Sequence, residues 1–107
     1  MQYLVSVLHT GTDLAADDEM KAIGVFNQKL RDGGHRVFAA GLELPESGIV
    51  FDNRNGENLV APNAKTSSEE YTAGFWIFEV SDEAEAIALA TEASQVCNRR
   101  IEIRRIL

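Results

Sequence analysis

Residues 74–107, GFWIFEVSDEAEAIALATEASQVCNRRIEIRRIL, read as strand, helix and strand with almost nothing between them. Gly74 to Val80 is the most apolar and aromatic run of the chain. Alternation puts Trp76 and Phe78 on one side of that strand and Phe75 and Ile77 on the other, so both sides need cover. Ser81 or Asp82 then offers an N-cap, with Glu83 and Glu85 in the first turn, where the helix dipole favours negative charge. Ala86, Leu89, Ala90, Ala93 and Cys97 recur at helical spacing, with Ile87 and Val96 at the edges of the stripe. Asn98 suits the C-cap. Arg100 to Ile106 alternate with period two, as a half-buried strand does.

The N-terminal half repeats this order. Tyr3 to Leu8 is a valine-rich strand with Tyr3, Val5, Val7 and His9 on one face and Leu4, Ser6 and Leu8 on the other. A helix is expected over 17–32. Ala16, Met20, Ile23, Phe26 and Leu30 supply its apolar stripe, Asp17, Asp18 and Glu19 its acidic first turn, and Gly33-Gly34 its end. His35 to Leu42 reads as a second strand, with Val37 and Ala39 on one face and Phe38 and Ala40 on the other. Pro45 bars a central strand in the turn region that follows.

Between the halves, Gly48–Asp52 and Glu57–Val60 flank Asn53-Arg54-Asn55-Gly56, and the Asn-Gly pair marks a hairpin over 48–61. Residues 62–71 then form a polar loop, longer than the ~4–6 residues usual in a compact domain. The expected fold is α+β: a ferredoxin-like βαβ-hairpin-βαβ chain, an antiparallel sheet with two helices on one face. Helices on one face leave the other open. A second copy of the same sheet would cover it, so a homodimer is expected, with the 74–80 strand near its centre.

Composition narrows the function by exclusion. Ten Lys and Arg stand against 17 Asp and Glu, a net charge of -7, which lacks the basic footprint of a nucleic-acid binder. No apolar run reaches the ~20 residues of a membrane span. The N-terminus shows neither the basic region nor the cleavage site of a signal peptide, so a cytoplasmic location is expected. There is no His-x-x-x-His, Cys-x-x-Cys, P-loop, Gly-x-Gly-x-x-Gly or Gly-x-Ser-x-Gly, so no metal or cofactor is expected.

Four features together resemble the YCII-related family, and within it the DGPF branch of the dimeric α+β barrel superfamily. They are the strand Tyr3-Leu4-Val5-Ser6-Val7-Leu8, the segment Gly41-Leu42-x-x-Pro45, the run Ala73 to Val80 leading into an alanine-rich helix, and the ending Ile101-Glu102-Ile103-Arg104. The Asp-Gly-Pro-Phe that names the branch is absent, and Ala61-Pro62-Asn63-Ala64-Lys65 stands in its place. The resemblance implies a dimeric α+β barrel with a small-molecule pocket. It also implies a His and Asp pair of the kind proposed as catalytic in YCII-type enzymes, with no partner assigned to His9 or His35 by the sequence.

Six single residues and one cluster merit attention on chemical grounds. His9, where a strand meets a loop, has an imidazole that can act as a general base, provided one ring nitrogen stays free of protein. It is the candidate catalytic residue for a lyase- or isomerase-type reaction. Ser6, a hydroxyl within an apolar strand, Trp76 and Glu79 are candidate ligand-binding residues; the competing roles are a satisfied buried hydroxyl, core packing and an ion pair with an arginine. Cys97 belongs to the core stripe and His35 to the end of a helix. Arg99, Arg100, Arg104 and Arg105 form a basic end, either an anion site or a solvated face. The function expected from the fold pattern and the absent motifs is that of a homodimeric small-molecule-binding or accessory protein. Acid/base chemistry at His9 is the alternative, and a structural or regulatory interaction protein using the open sheet face is a third reading.

Overall fold

A computed structural model describes residues 1–107. The order is β1 (Gln2–His9), α1 (Asp17–Asp32), β2 (Arg36–Gly41), β3 (Ile49–Asp52), β4 (Leu59–Pro62), β5 (Tyr71–Glu79), α2 (Glu83–Cys97) and β6 (Arg100–Arg105), with a 3-10 turn at Pro45–Ser47. Four strands make one antiparallel sheet in the order β2-β5-β1-β6. With the β3–β4 hairpin set aside, this is the ferredoxin-like arrangement: two βαβ halves interleaved so that β1 and β5 lie at the centre.

The helices share one face. Tyr3 and Val5 of β1 and Trp76 and Phe78 of β5 meet Phe26 and Leu30 of α1 and Ala86, Leu89 and Ala93 of α2 in a single core. The α2 alanines have no side-chain bulk beyond Cβ, which lets the helix lie close on the strands. Its ends follow from its sequence. Asp82 accepts from the Glu85 backbone N–H at 2.9 Å, Glu85 accepts from the Ser81 N–H at 3.1 Å, and Asn98 takes the left-handed conformation at φ 50°. These contacts satisfy groups that a helix end otherwise leaves unpaired. In α1 the left-handed residue is Gly34, with φ 73°, while Gly33 stays right-handed.

Several boundaries differ from those the sequence suggests. The fifth strand begins at Tyr71, three residues before Gly74, because Leu8 and His9 pair with Thr72 and Tyr71. The register slips between Val7 and Leu8, leaving Ala73 without an opposite number. This bulge moves Tyr71 to the helix side of the sheet, which strict alternation from Gly74 would deny it. The slip in β2 falls between Arg36 and Phe38, so Arg36 stands opposite Phe78, and Ala39 opposite Trp76. Strand β4 runs to Pro62, which a two-stranded ribbon tolerates because its outer edges pair with nothing. The connecting loop is correspondingly shorter, residues 63–70. In the helices, Met20 and Ile87 are 58% and 52% exposed, so neither stripe is buried along its full length.

The hairpin forms a separate two-stranded sheet. All its strand residues except Asp52 are exposed, among them Phe51 at 70%.

At Gly74 the β2 backbone lies close against β5. A Cβ there would lie 2.8 Å from the Ala40 carbonyl oxygen and 3.3 Å from the Gly41 Cα, both backbone atoms. Gly74→Ala is therefore expected to destabilise the fold by about 1–3 kcal/mol, since backbone cannot rotate away as a side chain can. Urea unfolding checks the size of the effect. Amide exchange at Ala40 and Gly41 checks its place, and unchanged protection there would contradict the clash.

Candidate functional site

The helix face is not covered evenly. Helix α1 lies against the sheet centre through Phe26 and Leu30, and beside it, toward edge strand β2, a pocket of about 540 Å³ remains open. That volume is within the usual range for small-molecule sites. Met20, Ile23 and Asn27 line it from α1, Arg36 and Ala39 from β2, and Trp76 forms part of its floor. Asn27 faces the pocket and uses its Oδ1 to accept the Trp76 indole N–H at 2.8 Å. The bond fixes the indole and satisfies its donor, as a buried tryptophan requires.

One end of the pocket is built by the β1–α1 loop. His9 closes β1 on the helix face and is largely buried, with 13% of its side chain exposed. Its Nε2 lies 3.1 Å from Asp13 Oδ1 and 3.2 Å from the Asp13 carbonyl oxygen. Both partners only accept, so Nε2 carries the proton, and in the neutral ring Nδ1 holds the lone pair. Nδ1 makes no protein hydrogen bond, so one ring nitrogen stays available for chemistry. Tyr71 stands edge-on to the imidazole at 5.9 Å between centroids and donates its hydroxyl to the Gly11 carbonyl at 2.6 Å. Arg99 approaches Asp13 Oδ2 at 3.8 Å and Glu19 Oε2 at 3.5 Å, so its charge is neutralised on the spot.

The 63–70 loop holds this end in place. Gly11 N–H donates to the Ser67 carbonyl at 2.6 Å, and Ser67 N–H donates to Glu46 Oε1 at 2.7 Å. The bond from the Ser67 backbone is the main reason the Glu46 carboxyl titrates below the ordinary glutamate value. A carboxyl whose folded value is depressed adds stability that is present above its unfolded value, ~4.3, and lost as pH falls through the folded value. Acidification below about pH 4 is thus expected to loosen the Ser67–Gly11 contact. The Ser67 amide shift should follow that titration and should not titrate in Glu46→Gln. A titration that persists in that variant would exclude Glu46 as its origin.

The other sequence candidates are distributed unevenly. Trp76 lines the pocket as well as the core. Ser6 pairs with Phe75 and Glu102 on the opposite side of the sheet, and Glu79 with Gln2 on that same side, so the sheet separates both from the pocket. Glu79 is paired with the Met1 ammonium at 2.8 Å rather than with an arginine, and that hydrogen bond holds its carboxyl low. His35 closes α1 and bonds through Nδ1 to the Glu79 carbonyl at 2.9 Å. Cys97 lines the pocket wall, and burial pushes its thiol up, away from the reactive thiolate. Arg100 and Arg104 pair with Glu70 and Glu102 on the surface. No three His, Cys, Asp or Glu side chains come together as a metal site.

Reading the sequence alone passed over Asp13, Asn27, Arg36 and Tyr71. Asp13 was within reach, because His9-x-x-x-Asp13 across a Thr-Gly loop brings the two side chains together. The Tyr71 placement depends on a bulge, which carries no local signature here.

Compared with known proteins, the chain matches the family described as YCII-related domain over residues 1–107. No curated protein matches it. No helix is long and apolar enough to cross a membrane.

Proposed function

The chain belongs to the YCII-related domain family, and on that footing we propose that it is a homodimeric small-molecule-binding protein whose ligand lies between α1 and β2. The observation that carries the binding half is the pocket of about 540 Å³, whose walls are mainly apolar and whose polar lining includes His9, Asn27 and Arg36. Met20 stands at its mouth on an exposed part of α1, so Met20→Trp fills the entrance with little cost to the core.

A thermal-shift screen of a metabolite library on wild type, His9→Ala and Met20→Trp tests it. At ~100 Kd a ligand of the native state is expected to raise wild-type Tm by about 10 °C or more, and Met20→Trp to abolish the rise. A library that leaves wild type unshifted, or a shift that survives Met20→Trp, would sink the proposal.

The dimer half is supported by the sheet face opposite the helices. Leu4, Leu8, Phe75 and Ile77 lie there half-buried, and Phe38 is 51% exposed. Sedimentation at micromolar concentration is expected to give the mass of two chains, and a monomer there would refute it.

A second reading, proton transfer with His9 as general base, is favoured by one specific contact. Asp13 fixes the Nε2–H tautomer and leaves Nδ1 free, the arrangement an oriented base needs.

A further inference from the structure

We infer that the pocket ligand is a small organic monocarboxylate, bound by its acid group to Arg36; the inference rests on the pocket reading above. Arg36 lines the pocket, and its Nε is buried with no hydrogen-bond partner. No carboxylate of the chain pairs with it, although 17 Asp and Glu are available. The other arginine at the pocket, Arg99, is already met by Asp13 and Glu19. Arg36 is thus the one uncompensated cation lining the pocket. A buried N–H without a partner is unfavourable, and a planar guanidinium is matched by a planar anion that accepts two parallel hydrogen bonds. Asn27 adds a second donor: its Oδ1 is taken by Trp76, so its amide NH₂ is left for a ligand.

The count of charges separates carboxylate from phosphate. A phosphate monoester carries close to two negative charges near neutral pH and is usually held by several cations or by a nest of backbone N–H groups. One guanidinium matches the single charge of a carboxylate. The ligand body is set by the walls: Ile23, Ala39 and Trp76 offer an apolar slot between the acid end and His9. The strand register gives the slot its direction. Arg36 stands opposite Phe78 and His9 opposite Tyr71, roughly 20 Å apart along β5 before the arginine side chain reaches back. The ligand is therefore elongated, with its acid at one end and the group presented to His9 at the other.

Calorimetric titration at pH 7 with 4-phenylbutyrate, its primary amide and phenyl phosphate tests this. Wild type is expected to bind the acid about 10–100-fold more tightly than the amide, the range for a charge-assisted hydrogen bond. Arg36→Gln should erase that preference by weakening the acid far more than the amide. Arg36→Met, which keeps an unbranched apolar stem two atoms shorter than arginine's and removes every donor, should do the same. It should also unfold no earlier than wild type, since the side chain it replaces has no protein partner. Equal binding of acid and amide, or a preference that survives both substitutions, overturns the carboxylate inference and leaves the pocket reading standing. Tighter binding of phenyl phosphate overturns the choice of carboxylate. Failure of all three probes to bind, or binding that persists in Met20→Trp, overturns the pocket reading and this inference with it.

Discussion

Phe78→Ala is expected to destabilise the protein by about 3–5 kcal/mol, a large part of the margin of a domain that holds ~5–15 kcal/mol in total. Phe78 has no exposed surface and stands on interior strand β5 opposite Tyr3 and Arg36. Its ring meets Phe26 at 6.4 Å and Trp76 at 6.0 Å between centroids, so truncation opens a void at the point where α1 meets the sheet. Phe75 is the informative control. It lies on the same strand facing the other way, 5.9 Å from Phe38, on the face the helices leave open. In a lone chain Phe75→Ala should cost well under half as much, whereas in a dimer its cost should grow with protein concentration. Urea unfolding at two protein concentrations reads both. A Phe78→Ala loss below about 1 kcal/mol would mean the core closes over the missing ring.

His9→Gln is expected to slow proton abstraction from a bound carbon acid by about 10²–10⁴-fold, the usual contribution of a positioned general base. Glutamine keeps the approximate size and a hydrogen bond to Asp13 but has no nitrogen lone pair that takes a proton. Asp13→Asn should have a smaller effect. It keeps the contact at 3.1 Å but removes the charge that orients Nε2–H and stabilises the imidazolium once the proton is taken. Solvent deuterium exchange into the carbon next to the carbonyl of a bound 2-oxo acid, followed by NMR, measures both. Equal exchange by wild type and His9→Gln would remove the acid/base reading and leave simple binding.

The fold was legible because its strongest signals are local. The aromatic run at 75–78, the Asp82 and Asn98 caps and the alanine stripe of α2 each specify their element with neighbours a few residues away. The ends of strands were less legible, because they are set by the partner strand. Tyr71 joins β5 because Leu8 and His9 pair with Thr72 and Tyr71, and no feature of residues 62–71 announces that. The site divides in the same way. His9 could be singled out from its place at the end of a strand, but the meaning of Arg36 depends on what is missing around it. A charged residue at the start of a strand reads as solvated until the fold shows its Nε buried and alone. Ser6 and Glu79 lie on the sheet face opposite the pocket, a placement that residue type alone does not announce.

The β3–β4 hairpin has a thermodynamic consequence of its own. A two-stranded ribbon without a third layer is barely stable in water, and this one has apolar residues such as Val50, Phe51 and Val60 exposed to solvent. Little of the body's core depends on it, so the hairpin is able to open while the four-stranded sheet stays closed. Its amide protons then exchange through a shallow local fluctuation, and those of Val5 and Phe78 exchange only when the whole domain unfolds. The chain thus carries two stability scales in 107 residues, and a protease that cuts first near Asn55 and Gly56 would leave the pocket standing.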